Sequence, residues 1–309
     1  MKSFCLALPL CLCAPVLAQE PQPTIPVEKP IRVLIIDGQN NHNWKATTPI
    51  LQKIFAEEGN FDTQVSTSPP KAPKDQPTSP EDEKWSDWYP QFTAYDVIVS
   101  NYNGEVWPER IQTAFEEFVR EGGGFVSVHA ADNAFPNWKA YNEMTGIGGW
   151  EGRKLGENGN VWVTVNEDGT LNRDAETKGN GGAHGPRREF LIQHMDSDHP
   201  ILEDLPESWR HTKDELYCKM CGPAKNLEVL GHAKSNLSGK NEPILMALTY
   251  GEGRIFHTTL GHDAEAMNCR GFYETLQRGT EWAADGTVFR TAEVPMDFPT
   301  KDKTTPVTQ

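Results

Sequence analysis

The chain has 309 residues, with 29 basic against 44 acidic side chains and a formal charge of −15. That length suits one large α/β domain or two small ones. The acidic balance repels phosphate backbones and argues against a nucleic-acid partner, and the dispersed charges read as an ordinary solvated surface.

The chain opens with "MKSFCLALPLCLCAPVLA", in which Lys2 precedes an apolar run and Val16 and Ala18 occupy the −3 and −1 positions of a cleavage site. This predicts a signal peptide over 1–18, cleaved near Ala18, and a periplasmic or secreted protein. Cleavage removes Lys2 and leaves 28 basic against 44 acidic residues, a mature charge of −16. Neither Cys11 nor Cys13 has the small-residue context that lipid attachment needs. No later stretch reaches the ~18 apolar residues of a transmembrane helix, so no membrane span is expected. Cys218, Cys221 and Cys269 remain after cleavage. "CKMC" has redox or zinc-like spacing, but no second pair completes a four-cysteine site. A local disulfide or two inert thiols is expected there, with Cys269 unpaired.

Residues 19–30 carry four prolines and read as an extended linker. "IRVLIID" (31–37) is a continuous apolar run, the pattern of a strand buried on both faces. A helix is expected over 48–59 and a weaker strand over 61–66. The proline-rich and charged segment 67–88 reads as a surface insertion with little regular structure. "YDVIVSN" (95–101) predicts a strand, 108–124 a helix led by Pro108, and "GFVSVHAA" (124–131) a fourth strand. Strand and helix alternate up to this point, which implies a parallel sheet covered on both sides. Residues 146–187 look like long loops around one strand, "VWVTVN". Strands follow over 188–194, 227–233, 244–250 and 254–262, the last two joined by "GEG" as an antiparallel hairpin. An amphipathic helix over 271–285 closes the domain, and a polar tail over 286–309 is expected to lie outside the core. Nothing in the pattern fixes an oligomeric state.

In open α/β sheets ligands bind beyond the carboxyl ends of strands. The candidates there are Asp37 with the loop carrying His42, Asn103 after the third strand, His129 after the fourth, and His262–Asp263 after the last. His129 stands at a strand-to-helix turn, where an imidazole can act as acid, base or metal ligand. Of the adjacent Asp214 and Glu215, alternation lets only one enter a common site, and Glu215 is favoured. His184 and Arg187 lie on a glycine-rich loop suited to clamp a substrate. His194, His199, His211, His232 and His257 read as structural or exposed. Zincin, P-loop and nicotinamide motifs are missing from the expected contexts. No cofactor is certain from spacing alone, but a divalent metal such as zinc on His42, His129 and His262 is compatible with adjoining strand ends.

"IRVLIIDGQNNHNW", "YDVIVSNYNG", "FVREGGGFVSVHAA", "DSDHPILEDLP", "DELY", "YGEGRIFHTTLGH" and "GFYETLQRGTEWA" together resemble the trehalose-utilisation (ThuA-like) family over about residues 31–285. The resemblance implies an α/β, flavodoxin-like three-layer sandwich similar to class I glutamine amidotransferases, mostly parallel with a C-terminal antiparallel hairpin. In those enzymes a cysteine occupies the fourth-strand elbow, whereas this chain has His129, so thioester chemistry lacks its sulfur. The resemblance also implies a carbohydrate substrate. A ketone at C3 of a sugar acidifies the C2–H, and His129, His262 and Glu215 would supply acid–base catalysis on such a glycoside or keto-sugar. Trp150, Trp138 and Trp44 could stack on a sugar face. The competing readings are a noncatalytic sugar-binding protein and a metal-assisted amidase or esterase.

Overall fold

The structure, a computed structural model, describes residues 29–73, 83–288 and 293–307. The expected signal peptide, most of the expected linker and the centre of the 67–88 stretch lie outside the described residues. In chain order the first elements are β1 (Ile31–Asp37), α1 (Trp44–Ala56), β2 (Phe61–Thr67), β3 (Val97–Ser100), α2 (Glu109–Arg120), β4 (Gly124–Val128) and α3 (Lys139–Thr145). Short strands follow: β5 (Lys154–Leu155), β6 (Val161–Val165), β7 (Leu171–Asp174), β8 (Gly179–Asn180) and β9 (Ala183–His184). The next strands are β10 (Arg188–His194), β11 (Ser208–Asp214), β12 (Tyr217–Cys218) and β13 (Cys221–Gly222). The chain then forms β14 (Glu228–Lys234), β15 (Asn241–Tyr250), β16 (Gly253–Thr258), α4 (Ala264–Met267) and α5 (Arg270–Asp285).

Parallel ladders join β2, β1, β3, β4 and β16 in that order. From β16 the sheet continues antiparallel through β15, β14, β10 and β11, further than one terminal hairpin would take it. Because directions alternate there, β14 and β11 run the same way as β16. The carboxyl ends of β1, β3, β4, β16 and β11 therefore share one edge.

The apolar run of β1 shows why the sheet is covered twice. Val33 and Ile35 pack with Leu51 of α1 and Phe272 and Leu276 of α5, while Leu34 and Ile36 pack with Ile111 and Phe115 of α2. A period of two sends alternate side chains into opposite cores, so helices are needed on both faces. α1 begins at Trp44, four residues before the predicted start, with Pro49 inside it. Pro49 is the sixth residue of the helix, and the N–H it lacks leaves the carbonyl of Lys45 without its intrahelical donor.

Three expectations change. The end of the 67–88 insertion is core, not surface: Trp85 and Trp88 are buried, and Trp88 Nε1 donates to Ser66 Oγ at 3.1 Å. The segment after 286 also packs: Val288, Phe298 and Val307 join the core, and Arg270 N–H donates to Thr305 O at 2.8 Å. Covered in this way, α5 is buried on all sides from Gly271 to Ala283 rather than amphipathic, and Arg278 pairs with Glu274 at 2.6 Å. The thiols of Cys218 and Cys221 are free and buried, with no disulfide between them. Burial pushes Cys221 up to about 11, which leaves it inert. Among the described residues no helix is long and apolar enough to cross a membrane.

Two outcomes follow from this packing. Phe298→Ala should cost about 3–5 kcal/mol in urea unfolding, as for a buried aromatic, whereas a free tail would show no change. His194 Nε2 accepts the indole N–H of Trp209 at 3.1 Å, and burial pushes its pKa down to about 4. A histidine held neutral contributes stability above its unfolded pKa of about 6.5 and loses it as pH falls from there toward about 4. His194→Asn should flatten the pH dependence of the unfolding midpoint in that window.

Candidate functional site

Four chain segments meet at the carboxyl edge of the sheet. Gly38, at the end of β1, has φ +110°, and a Cβ there would lie 2.5 Å from Ser68 Oγ. Only glycine makes that turn, and the loop it starts carries His42, whose N–H donates to Asn40 Oδ1 at 2.9 Å. At the end of β4 the strand breaks directly into a 3₁₀ turn over His129–Asn133. His129 has φ +48°, a left-handed conformation that costs about 1–3 kcal/mol in a non-glycine residue and persists only where its surroundings hold it. Two contacts do so. His129 Nδ1 donates to Thr259 O at 2.7 Å, and Asp132 in the same turn meets His257 Nε2 of β16 at 3.0 Å.

The loop after β16 brings His262, and the end of β11 brings Glu215. Asp214 ties these two together. It is fully buried, and its carboxylate accepts from His211 Nε2 at 2.9 Å, Gly261 N–H at 2.8 Å, His262 N–H at 3.2 Å and Glu215 N–H at 2.7 Å. Burial alone would raise its pKa, but His211 and these backbone donors outweigh it and hold the carboxyl low.

The result is a compact cluster. The ring centroids of His42, His129 and His262 lie 4.8, 4.6 and 5.6 Å apart. Glu215 Oε2 is 3.2 Å from His262 Nδ1 and 3.7 Å from His129 Nε2. One ligand atom from each of His42, His129, Glu215 and His262 falls within 4.8 Å of the others. Burial opposes ionisation of Glu215, yet His129 and His262 outweigh it and keep the carboxyl below the usual range. Burial and the neighbouring His129 and His262 push His42 down to about 4, so the ring is neutral at neutral pH and one of its nitrogens carries a lone pair.

A cavity of about 190 Å³ opens beside the cluster, lined by His42, Asn103, Trp150, His184, Glu215 and Tyr217 among others. Asn103, Trp150 and His184 thus stand where the sequence places substrate contacts, and His184 Nδ1 is 3.5 Å from Glu215 Oε1. Two candidates do not reach it. Asp37 shares the β1 face of Val33 and Ile35, where burial pushes its carboxyl up beside Thr67 and Thr48, so it belongs to the packing under α1. Arg187 is spent on Asp263 and Glu265, at 2.9 and 3.0 Å. Asp263 itself caps α4 through Ala266 N–H and lies outside the cluster. Trp44 does not line the cavity.

Sequence reasoning missed Tyr217, Asn133 and the Asp132–His257 pair. Tyr217 is buried, and its hydroxyl donates to His129 Nε2 at 2.8 Å. The alternation that selected Glu215 points to it as well, since residues two apart in an extended segment share a face. His257 sits mid-strand among apolar residues, and nothing local marks its partner 125 positions away.

The model of the family described as trehalose utilisation (ThuA) matches residues 32–283. The chain belongs to the ThuA family. A ThuA-like protein from Parabacteroides merdae is 41% identical, with a TM-score of 0.81 over 90% of this chain and 98% of its own. A ThuA-like protein from Bacteroides uniformis shares the fold at 18% identity and a TM-score of 0.55, over 88% of this chain and 100% of its own. No curated protein sequence matches. The ThuA domain thus spans the whole sheet and its helices, and the clustered histidines and Glu215 all lie within it.

Asp214→Ala should cost about 3–5 kcal/mol in chemical unfolding, because it strands a buried His211 and three backbone donors. A loss under about 1 kcal/mol would show that the junction of β11 with the 259–262 loop holds without it.

Proposed function

We propose that the protein is an exported carbohydrate-processing enzyme whose three imidazoles, His42, His129 and His262, hold a divalent metal with Glu215 beside them as the base. Its substrate is a glycoside or a 3-keto-sugar related to disaccharide utilisation. The observation that carries this reading is the convergence of three histidines and one carboxylate, from four separate segments, in one cluster, of which His42 and Glu215 line the adjoining cavity.

The donor set suits a metal. His129 Nδ1–H is fixed on a backbone carbonyl, which sets the tautomer and leaves Nε2 facing the cluster, as in metal sites whose outer hydrogen bonds orient the ligand. His262 Nδ1 is buried and has no aligned hydrogen-bond partner. Tetrahedral ligands at about 2.1 Å from zinc sit about 3.4 Å apart, so the cluster, whose ligand atoms lie within 4.8 Å of one another, would draw in by up to about 1.4 Å on binding. Three histidines with an open position are a zinc catalytic pattern. When bound, such a metal polarises a carbonyl or hydroxyl oxygen of the substrate.

The chain's own groups supply the proton transfers. Glu215 lines the cavity and is placed to take the proton from a carbon next to a sugar ketone. The Tyr217 hydroxyl, on the same wall, donates to His129 Nε2; with a metal on that nitrogen it would be released to donate to the oxygen that gains charge. Trp150 offers a ring face to the sugar, with Asn103 and Asn133 for its hydroxyls. The fold reads as flavodoxin-like and class I glutamine amidotransferase-like. Support comes from the β4 elbow, where His129 has the strained φ of a nucleophile elbow without its nucleophile.

Elemental analysis of the purified protein should find about one divalent metal per chain. Incubation with 3-keto-trehalose, followed by mass spectrometry, should show its consumption. Glu215→Gln should keep the metal and lose about 10²–10⁴-fold in rate. Full turnover by a His129→Ala, His262→Ala double variant would exclude the assignment. Mature protein recovered from the periplasm or medium should begin at Gln19, and an intact Met1 would rule out export by cleavage.

A further inference from the structure

The inner cavity, at about 190 Å³, is below the ~300–1,000 Å³ that encloses a drug-sized ligand, so it has room for one sugar ring but not two. It does not end there. Asn41, Asn103, Asn133 and Glu151 form a wall common to this cavity and a cleft of about 480 Å³ alongside it. Past that wall the cleft is bordered by polar residues that include Lys71, Gln112 and Asn137, with Trp138 and Val106 among its apolar lining. Trp138 stacks on Tyr141 at 5.4 Å, which fixes its ring while leaving it partly exposed. Amides around a fixed aromatic face match a pyranose, whose hydroxyls point outward and whose C–H groups lie on the ring face.

The turn between the two spaces is strained. Trp150 and Glu151 are consecutive non-glycine residues with φ of +52° and +44°, each costing about 1–3 kcal/mol. Trp150 N–H donates to Gly181 O at 2.9 Å and Arg153 N–H to Trp150 O at 2.8 Å, which hold the turn in place. Its effect is to set Trp150 in the inner cavity and Glu151 at the junction of both spaces.

We infer that the 480 Å³ cleft is a second sugar subsite. The reacting ring occupies the inner cavity, its glycosidic partner lies across Trp138, and Glu151 accepts hydroxyl hydrogen bonds where the rings join. This rests on the carbohydrate reading of the site and deepens it: the preferred substrate is a two-ring glycoside, and the specificity for the second ring belongs to the cleft.

Calorimetric titration of the mature protein with trehalose and with methyl α-glucoside, neither of them oxidised, tests this. Trehalose should bind at least tenfold more tightly. Val106 is 45% exposed and borders the cleft but not the inner cavity, so Val106→Trp fills the second subsite with little risk to folding. It should abolish the trehalose advantage and leave methyl α-glucoside affinity within about twofold. Asn137→Trp, also on the exposed rim, should do the same. Equal affinities in the wild type, or an advantage that survives both variants, would overturn the subsite while the bound methyl glucoside still supports a sugar site. Binding of neither sugar, nor of 3-keto-trehalose, would overturn both readings.

Discussion

Asp214 ends the strand at one edge of the sheet, yet its carboxylate accepts the N–H groups of Gly261 and His262 from the loop after a strand four ladders away. That contact closes the antiparallel half of the sheet onto the parallel half. A buried carboxylate is costly unless every lone pair is engaged, and here His211 and three backbone N–H groups engage it. Because the next residue is Glu215, the same anchor delivers a second carboxylate into the space between His129 and His262. The structural acid and the site acid are neighbours in the chain, and the turn between them sends one into the core and the other to the cavity.

The other half of the site depends on strain held in check. His129 occupies a left-handed conformation at the end of β4, and Trp150 and Glu151 occupy another pair across the cavity. His129 is tied to Thr259 O and Trp150 to Gly181 O, both remote in sequence. Beneath the His129 turn, the buried Asp132–His257 pair joins it to β16, and His257 Nδ1 also donates to Thr145 O at 2.8 Å. Backbone strain of this kind survives where packing over-determines it, and the cluster lies between two such turns.

Much of this was legible in the chain. Continuous apolar runs marked β1, β3 and β4, and the ends of those runs led to His42, Asn103 and His129, because a parallel sheet gathers its strand ends at one edge. Alternation within "DELY" separated Glu215 from Asp214. What could not be read was tertiary in origin. Asp37 ends a strand as His129 does, but the parity of β1 turns it under α1. Arg187 looked free on a glycine-rich loop, and its partners Asp263 and Glu265 lie more than seventy residues away. The polar composition of the 286–307 segment concealed Phe298 and Val307, whose burial in turn explains why α5 carries polar residues on a face without solvent.

The central claim is that His42, His129 and His262, with Glu215 beside them, form one metal-binding centre, and cobalt(II) titration followed by visible absorption tests it most directly. The expected result is saturation at one equivalent, with the band intensity of a low-coordinate nitrogen and oxygen site that disappears in His42→Ala and His262→Ala. Absence of saturable binding to the intact, folded protein, or an unchanged spectrum in both variants, would contradict it.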